Sequence, residues 1–378
     1  MLRALPLMPT YINIITHEFP PYRGGAGVYC YELALAASKL GGKVKIWSPN
    51  GSEENDAFET QKLQWKGTHG IIASWNLVRE IQNYLNKSKI DEVFHLAELG
   101  STRAFLRFGW KIQKKIRLIL TIHGSEILRF TRNPIEKWLF KRLLLKCERI
   151  HVLSKFNKKK LTEFCPSIEA SICLIPGALP NHVSNNPLLS IDYAEKKKLQ
   201  ILCVGRIHPR KGQDQIILAL NCLQLDEQKK IVVHFAGPKT KPKFFNNIIK
   251  ISKKFAGKVI FHGDCTDNDL RNLYNSSDIF ILTSMPRAKS VEGFGFVYIE
   301  ASSYGLPIIA NRTGGVEDAV KEGETGLLSE PGDILGLSLL LKKLINDHKL
   351  RKRLGKKGKT WTKTLSWEDV AKKLYDLN

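Results

Sequence analysis

Two glutamates eight positions apart, Glu292 and Glu300, bracket a glycine-containing turn in Ser290-Val-Glu-Gly-Phe-Gly295-Phe296-Val297-Tyr-Ile-Glu-Ala301. Glycines 293 and 295 expose backbone amides where a helix starts, which makes an anion cradle of Gly295, Phe296 and Val297. A carboxylate accepts two hydroxyls at once, so two of them flanking a phosphate-binding turn suit a sugar and a ribose. A helix-cap glutamate plus a solvated one is the plainer reading of either alone, and the combined spacing argues against it. Some 80 residues upstream, Gly205-Arg206-Ile-His-Pro-Arg210-Lys211-Gly212 follows a strand-like run. Arg206 as a planar fork and Lys211 as a point charge can converge there on one diphosphate.

A third cluster, His17-Glu-Phe-Pro-Pro-Tyr-Arg-Gly24-Gly25-Ala-Gly27, precedes an amphipathic helix starting near Val28. Glycines at such a position let amides approach an anion. A dinucleotide fingerprint fits badly, because the third glycine is missing and Trp47-Ser48-Pro49-Asn50 offers no acid for a ribose; a structural turn remains the alternative. His123, in Thr121-Ile-His-Gly-Ser-Glu126, ends another strand-like run. A lone histidine is more often structural, but the strand-end position followed by glycine favours a site role. Glu126 and Arg129 are candidates for acceptor contact, with a solvated-loop role equally open. Asp264 and Asp267 are isolated and suit capping of a helix from Asp269, and with no Asp-x-Asp cluster the expectation is no metal.

Elements that position these residues alternate from end to end. Strands are expected at 11–16, 43–47, 92–96, 117–122 and 149–153, then at 200–204, 231–235, 259–261, 279–283, 307–310 and 326–328, with helices such as 213–223 and 244–255 between them. Between Pro176 and Lys198 the pattern dissolves into Pro, Asn and Ser, a domain connection. The expected fold class is α/β: two consecutive Rossmann-like, doubly wound parallel-sheet domains, 1–180 and 181–360, with a tail at 361–378. In such sheets ligands sit beyond the carboxyl ends of the strands.

At 378 residues the chain suits two domains, and 43% hydrophobic with 25% charged residues excludes disordered and fibrous classes. The seven cysteines are scattered without a C-x-x-C pair, which points to reduced thiols in a cytoplasmic protein. No run of 18 apolar residues supports a membrane span. The net charge of +23 is uneven: residues 103–160 hold 17 Lys and Arg against three acids, and Lys349 to Lys359 contains no acid. Such fields attract phosphate-bearing substrates, anionic headgroups or nucleic acid, while a lysine-rich background is the plain alternative. Asn133 to Lys146 reads as a basic, apolar helix. It suits either an anionic membrane surface delivering a lipid-linked acceptor or simple packing on the sheet, with Trp138, Leu139, Leu143 and Leu145 filling core.

Taken together, the Glu-x7-Glu pair, Gly-Arg-x4-Lys-Gly at 205–212, Gly24-Gly25 and Thr313-Gly-Gly-Val-Glu-Asp resemble glycosyltransferase family 4, over nearly the whole chain from Pro20-Pro21 to Ser366-Trp367-Glu368. The resemblance implies a retaining GT-B enzyme whose two domains face one another across a cleft. It implies an N-terminal acceptor domain, a C-terminal nucleotide-sugar domain and a last helix crossing back, with closure pivoting near 180–195. It also implies roles: Arg206 and Lys211 on the donor diphosphate, Glu300 on the ribose, Glu292 on donor-sugar hydroxyls, and amides around Phe294 to Val297 on sugar and phosphate. Gly24 and Gly25 would come against the diphosphate, Gly205 would line the same turn, and His123 would lie beside the donor sugar. No cofactor is implied beyond the nucleotide-sugar substrate. Residues 291–302 are especially similar to phosphatidylinositol-modifying mannosyltransferases, which favours GDP-mannose over UDP-sugars. The expected function is transfer of a hexose to a lipid-linked or saccharide acceptor in envelope glycan or glycolipid synthesis, by a cytoplasmic enzyme with the inner membrane face as a second location. A nucleic-acid-binding protein would explain the charge but not the sugar-nucleotide constellation, and no RNA-binding signature appears. An epimerase or non-catalytic sensor on the same scaffold stays open.

Overall fold

A computed structural model of the chain describes residues 10–20, 24–49, 56–63, 70–88, 90–184, 198–288 and 290–377. Pro21 and most of the expected pivot, 185–197, lie outside the described residues. The chain divides into two compact units, residues 1–177 with 366–378, and residues 178–365.

The first unit holds a parallel sheet of β1 (Tyr11–Ile15), β2 (Lys43–Ser48), β3 (Glu59–Lys62), β4 (Glu92–Leu96), β5 (Arg117–Ile122), β6 (Arg149–Val152) and β7 (Ile172–Leu174). Their order is β3-β2-β1-β4-β5-β6-β7. From β1 the chain lays down two strands on one side, then crosses to β4 and fills the other side. The carboxyl ends of β1 and β4 therefore form a switch point, where connections part and leave a crevice. All five residues of β4 are buried, as a strand covered by helices on both faces must be. β3 was not expected: Glu59, Thr60, Gln61 and Lys62 are all exposed, so no apolar periodicity marks this edge strand.

The helix Trp367–Tyr375 belongs to this unit. Ser366 caps it by accepting from the Asp369 amide at 3.1 Å. Tyr375 Oη and His95 Nδ1 lie 2.7 Å apart, Trp367 meets Tyr29 edge-on, and Arg149 donates to Asp376 and to the Lys373 and Leu374 carbonyls. The helix Pro134–Leu144 buries Phe140, Leu143 and Leu144, with Leu139 partly covered. Here the expected core is corrected: Trp138 and Leu145 are 57% and 54% exposed. They stand on the turns opposite the three buried residues.

The second unit repeats the plan with β8 (Leu199–Val204), β9 (Ile231–Ala236), β10 (Lys258–Gly263), β11 (Ile279–Leu282), β12 (Ile308–Asn311) and β13 (Gly326–Ser329), ordered β10-β9-β8-β11-β12-β13 and all parallel. Its switch point lies between the carboxyl ends of β8 and β11. Thr266, not Asp264 or Asp267, caps the helix Asp267–Ser276, with Asp269 closing the capping box.

Candidate functional site

In the second unit the chain leaves β8 through Gly205 and Arg206, then makes a short 3-10 turn, Pro209–Lys211. His208 caps that turn, its Nδ1 accepting from the Arg210 amide at 3.0 Å. The turn is stapled to the end of β11: Met285 N donates to Arg210 O at 2.7 Å and Thr283 Oγ1 to Gly212 O at 2.7 Å. Gly212 has φ +66°, and a Cβ there would lie 2.1 Å from the Thr283 carbonyl oxygen, so only glycine permits the approach.

Three donors meet on one carboxylate oxygen. Lys211 Nζ, Ser284 Oγ and Arg210 Nη1 lie 2.7, 2.9 and 3.1 Å from Glu292 Oε2, and none of the three bonds Oε1. Burial pushes the Glu292 carboxyl up, but Lys211 and Arg210, with the hydrogen bonds from Lys211 and Ser284, outweigh it and hold the pKa at about 2. Behind it, the Gly315 amide donates to the Glu292 carbonyl at 2.8 Å. Gly314, at φ +58°, passes so close that a Cβ would lie 2.2 Å from that same carbonyl oxygen. Thr313-Gly-Gly thus buttresses the backbone of Glu292.

Beyond Glu292 the chain turns at Gly295, the N-cap of the helix Phe296–Ser303. Phe296 and Val297 open that helix, so their amides have no place in its own hydrogen-bond ladder. Glu300 lies one turn in and is half-buried, and Tyr274 Oη donates to its Oε2 at 3.0 Å. Burial pushes the Glu300 carboxyl up to about 7 against the opposing effect of that hydrogen bond. The two glutamates are therefore opposites, one clamped anionic by cations and one poised near neutrality. Arg206 is exposed at the β8 edge, its carbonyl held by Gln213 Nε2 at 2.9 Å.

The structure thus joins Lys211 directly to Glu292 and places Arg206 and Gly205 at the start of the same loop. Arg210, Ser284 and Tyr274 were not singled out from sequence. Residues 210 and 211 are neighbours, and in an extended reading neighbours point apart; the 3-10 turn brings both to one oxygen.

In the first unit, His17, Glu98 and His123 follow β1, β4 and β5 at the sheet's carboxyl edge. Glu98 is buried; it accepts from the Gly100 and Ser101 amides at 2.5 and 2.7 Å and pairs with His17 Nδ1 at 2.5 Å. Burial opposes a charge on His17, yet Glu98 and Glu18 outweigh it and raise its pKa. Neither His17 nor Glu98 was assigned a role from sequence, because their pairing spans 81 residues. His123 Nε2 donates to the Ala97 carbonyl at 2.9 Å, and its ring meets Tyr29 edge-on at 5.0 Å. Gly24 caps the helix Gly25–Lys39, which starts three residues before the expected Val28. Glu126 corrects the solvated-loop alternative: it is 3% exposed and accepts from the Gly124 amide at 2.8 Å, so its carboxylate holds the turn after His123. Arg129 is half-buried one turn further on. Among the described residues no group of three or more His, Cys, Asp or Glu could hold a metal.

Two family models match the chain: one described as Glycosyltransferase Family 4 over residues 23–179, and one as Glycosyl transferases group 1 over residues 190–361. A GDP-mannose-dependent alpha-(1-6)-phosphatidylinositol monomannoside mannosyltransferase of Mycobacterium tuberculosis is 22% identical over 97% of each chain. An uncharacterized glycosyltransferase of Methanocaldococcus jannaschii is 28% identical over 92% of each. Among solved structures, a sucrose-phosphate synthase from Thermosynechococcus elongatus is similar with a TM-score of 0.78 and 21% identity, covering 97% of this chain and 98% of its own. At that identity the likeness speaks for the fold.

Proposed function

This chain belongs to the glycosyltransferases, family 4 in its first unit and group 1 in its second, and from that membership we propose that it moves mannose from GDP-mannose to a lipid-linked, inositol-bearing acceptor with retention at the anomeric carbon. The observation that carries the reading is the Lys211–Glu292 contact at the switch point of the second unit. It puts a cation for a diphosphate and a carboxylate for sugar hydroxyls on one loop junction.

In this reading Arg206 and Lys211 take the diphosphate, with the amides of Gly295, Phe296 and Val297 beside them. Glu292, held by Oε2, offers Oε1 to a donor-sugar hydroxyl, and Glu300 takes the ribose. In the first unit Arg129 serves the acceptor, and Glu126 is left to hold its turn. The anomeric C–O bond breaks with its electron pair going to the phosphate, whose growing charge Arg206 and Lys211 meet without a metal. The acceptor oxygen bonds that carbon from the same face, and its proton goes to the departing phosphate. The exposed Ile135, Trp138 and Leu145, beside Lys137, Lys141, Arg142 and Lys146, support an anionic membrane surface as the place where the acceptor is met. No helix among the described residues is long and apolar enough to cross a membrane.

Radiolabelled GDP-mannose, UDP-glucose and ADP-glucose, each offered with phosphatidylinositol mannosides, test this. Label from GDP-mannose is expected in the lipid fraction. Transfer from another donor alone would replace mannose, and free or epimerised sugar without transfer would overturn the transferase reading.

Glu300 adds a pH dependence. If its carboxylate receives the ribose hydroxyls, a proton competes with the donor below the pKa of about 7. GDP affinity should then be about tenfold weaker at pH 6 than at pH 8, and Glu300→Gln should flatten the profile. Calorimetry showing tighter binding at pH 6 would remove Glu300 from the site.

A further inference from the structure

The helix His348–Thr362 in the second unit carries a charge pattern that the donor site does not use. Residues 348–363 contain eight Lys and Arg and no acid. Lys349, Lys352, Arg353, Lys356, Lys357 and Lys363 are exposed, while Leu350, Leu354, Gly355, Gly358 and Thr362 are buried. The cations therefore form one stripe, about 21 Å from end to end at 1.5 Å per residue.

This stripe works against the helix that bears it. Like charges three and four apart weaken a helix, and here 349–353, 352–356 and 353–357 are all such pairs. At the positive end of the helix dipole one acid, the N-cap Asp347, accepts from the Leu350 amide at 2.8 Å, and beyond it the helix holds cations alone. A lysine-rich background alone would scatter lysines among acids, as the helix Leu225–Lys229 does with Asp226, Glu227 and Lys229. The helix is nonetheless firmly seated. A Cβ at Gly355 would lie 1.8 Å from the Gly305 carbonyl oxygen, and one at Gly358 would lie 3.3 Å from Ser302.

We propose that this stripe is a docking surface for an anionic phospholipid membrane. Lysine ammoniums dominate it, point charges suited to a diffuse headgroup layer, at about fivefold in affinity for each. A single-stranded nucleic acid would want aromatic platforms, and the helix's one aromatic, Trp361, is half-buried with Lys321 over its ring. The inference is independent of the donor-site roles and of the helix Pro134–Leu144, which lies in the other unit.

Sedimentation of the full chain with phosphatidylcholine vesicles, with and without phosphatidylglycerol, tests it. Binding is expected only with phosphatidylglycerol. The quadruple variant K349Q/K352Q/K356Q/K357Q should bind at least about 10²-fold more weakly, while the matching four Lys→Arg changes retain binding and both proteins still bind GDP. Undiminished binding of the glutamine variant overturns the proposal. If Trp138→Ser alone abolishes binding, the surface on 134–144 stands and this one falls. An RNA oligomer bound more tightly than the vesicles at equal salt would assign the stripe to nucleic acid instead.

Discussion

Lys211→Ala is expected to lower turnover by a factor of about 10² to 10³, the usual cost of removing one preorganised electrostatic donor. The leaving diphosphate gains charge as the sugar departs, so a cation fixed in advance favours the transition state over the bound donor. The loop stapled to β11 fixes Lys211, and only 12% of its side chain meets solvent. Loss of the lysine leaves Glu292 held by Arg210 and Ser284. The fold should therefore lose less than the about 3 to 5 kcal/mol that an orphaned buried charge costs. Steady-state kinetics on the folded variant check this, and near-normal turnover would take Lys211 out of the reaction.

Glu292→Gln is expected to cut transfer by about 10² while GDP binding stays within about threefold of the wild type. The two readouts part because GDP carries no sugar. At a pKa of about 2 the wild-type carboxylate is ionised across the working range, so the amide removes a charge that is always present. That charge holds Lys211 at 2.7 Å in the chain without donor; its loss frees the lysine for phosphate and gives no reason for GDP to bind less well. Equal loss of GDP binding and transfer, measured by calorimetry and product formation, would mean that Glu292 serves the nucleotide or the fold.

Much of this was legible in the chain itself. The central strands β4 and β5 fall on the expected residues, marked by Val93, Phe94 and Leu96 in the one and by Leu118, Ile119, Leu120 and Ile122 in the other, although buried Glu92 and His95 interrupt the apolar run of β4. β3 was hidden by four exposed polar residues, and β7 by its three-residue length. The helix at 134–144 was readable as a helix, but not which of its apolar residues turn inward, since Trp138 and Leu145 look like core until their neighbours are known. At the site, strand ends followed by glycines marked Arg206, Lys211, Glu292 and His123. The partners that set their chemistry were illegible, because Arg210 and Ser284 on Glu292, Tyr274 on Glu300 and Glu98 on His17 are contacts across 82, 8, 26 and 81 positions. Even Ser284, the nearest, is reached only through the turn that follows β11. Glu126 misled for a different reason: its contact is local, an amide two residues away, and what the chain did not show is that the carboxylate is buried.

A crystal structure of the chain with GDP-mannose tests the central claim most directly. The account predicts the diphosphate within hydrogen-bond distance of Lys211 Nζ and the Arg206 guanidinium, ribose hydroxyls on Glu300, and a mannose hydroxyl on Glu292 Oε1. A nucleotide bound away from the carboxyl ends of β8 and β11, with the Lys211–Glu292 pair undisturbed, would contradict it.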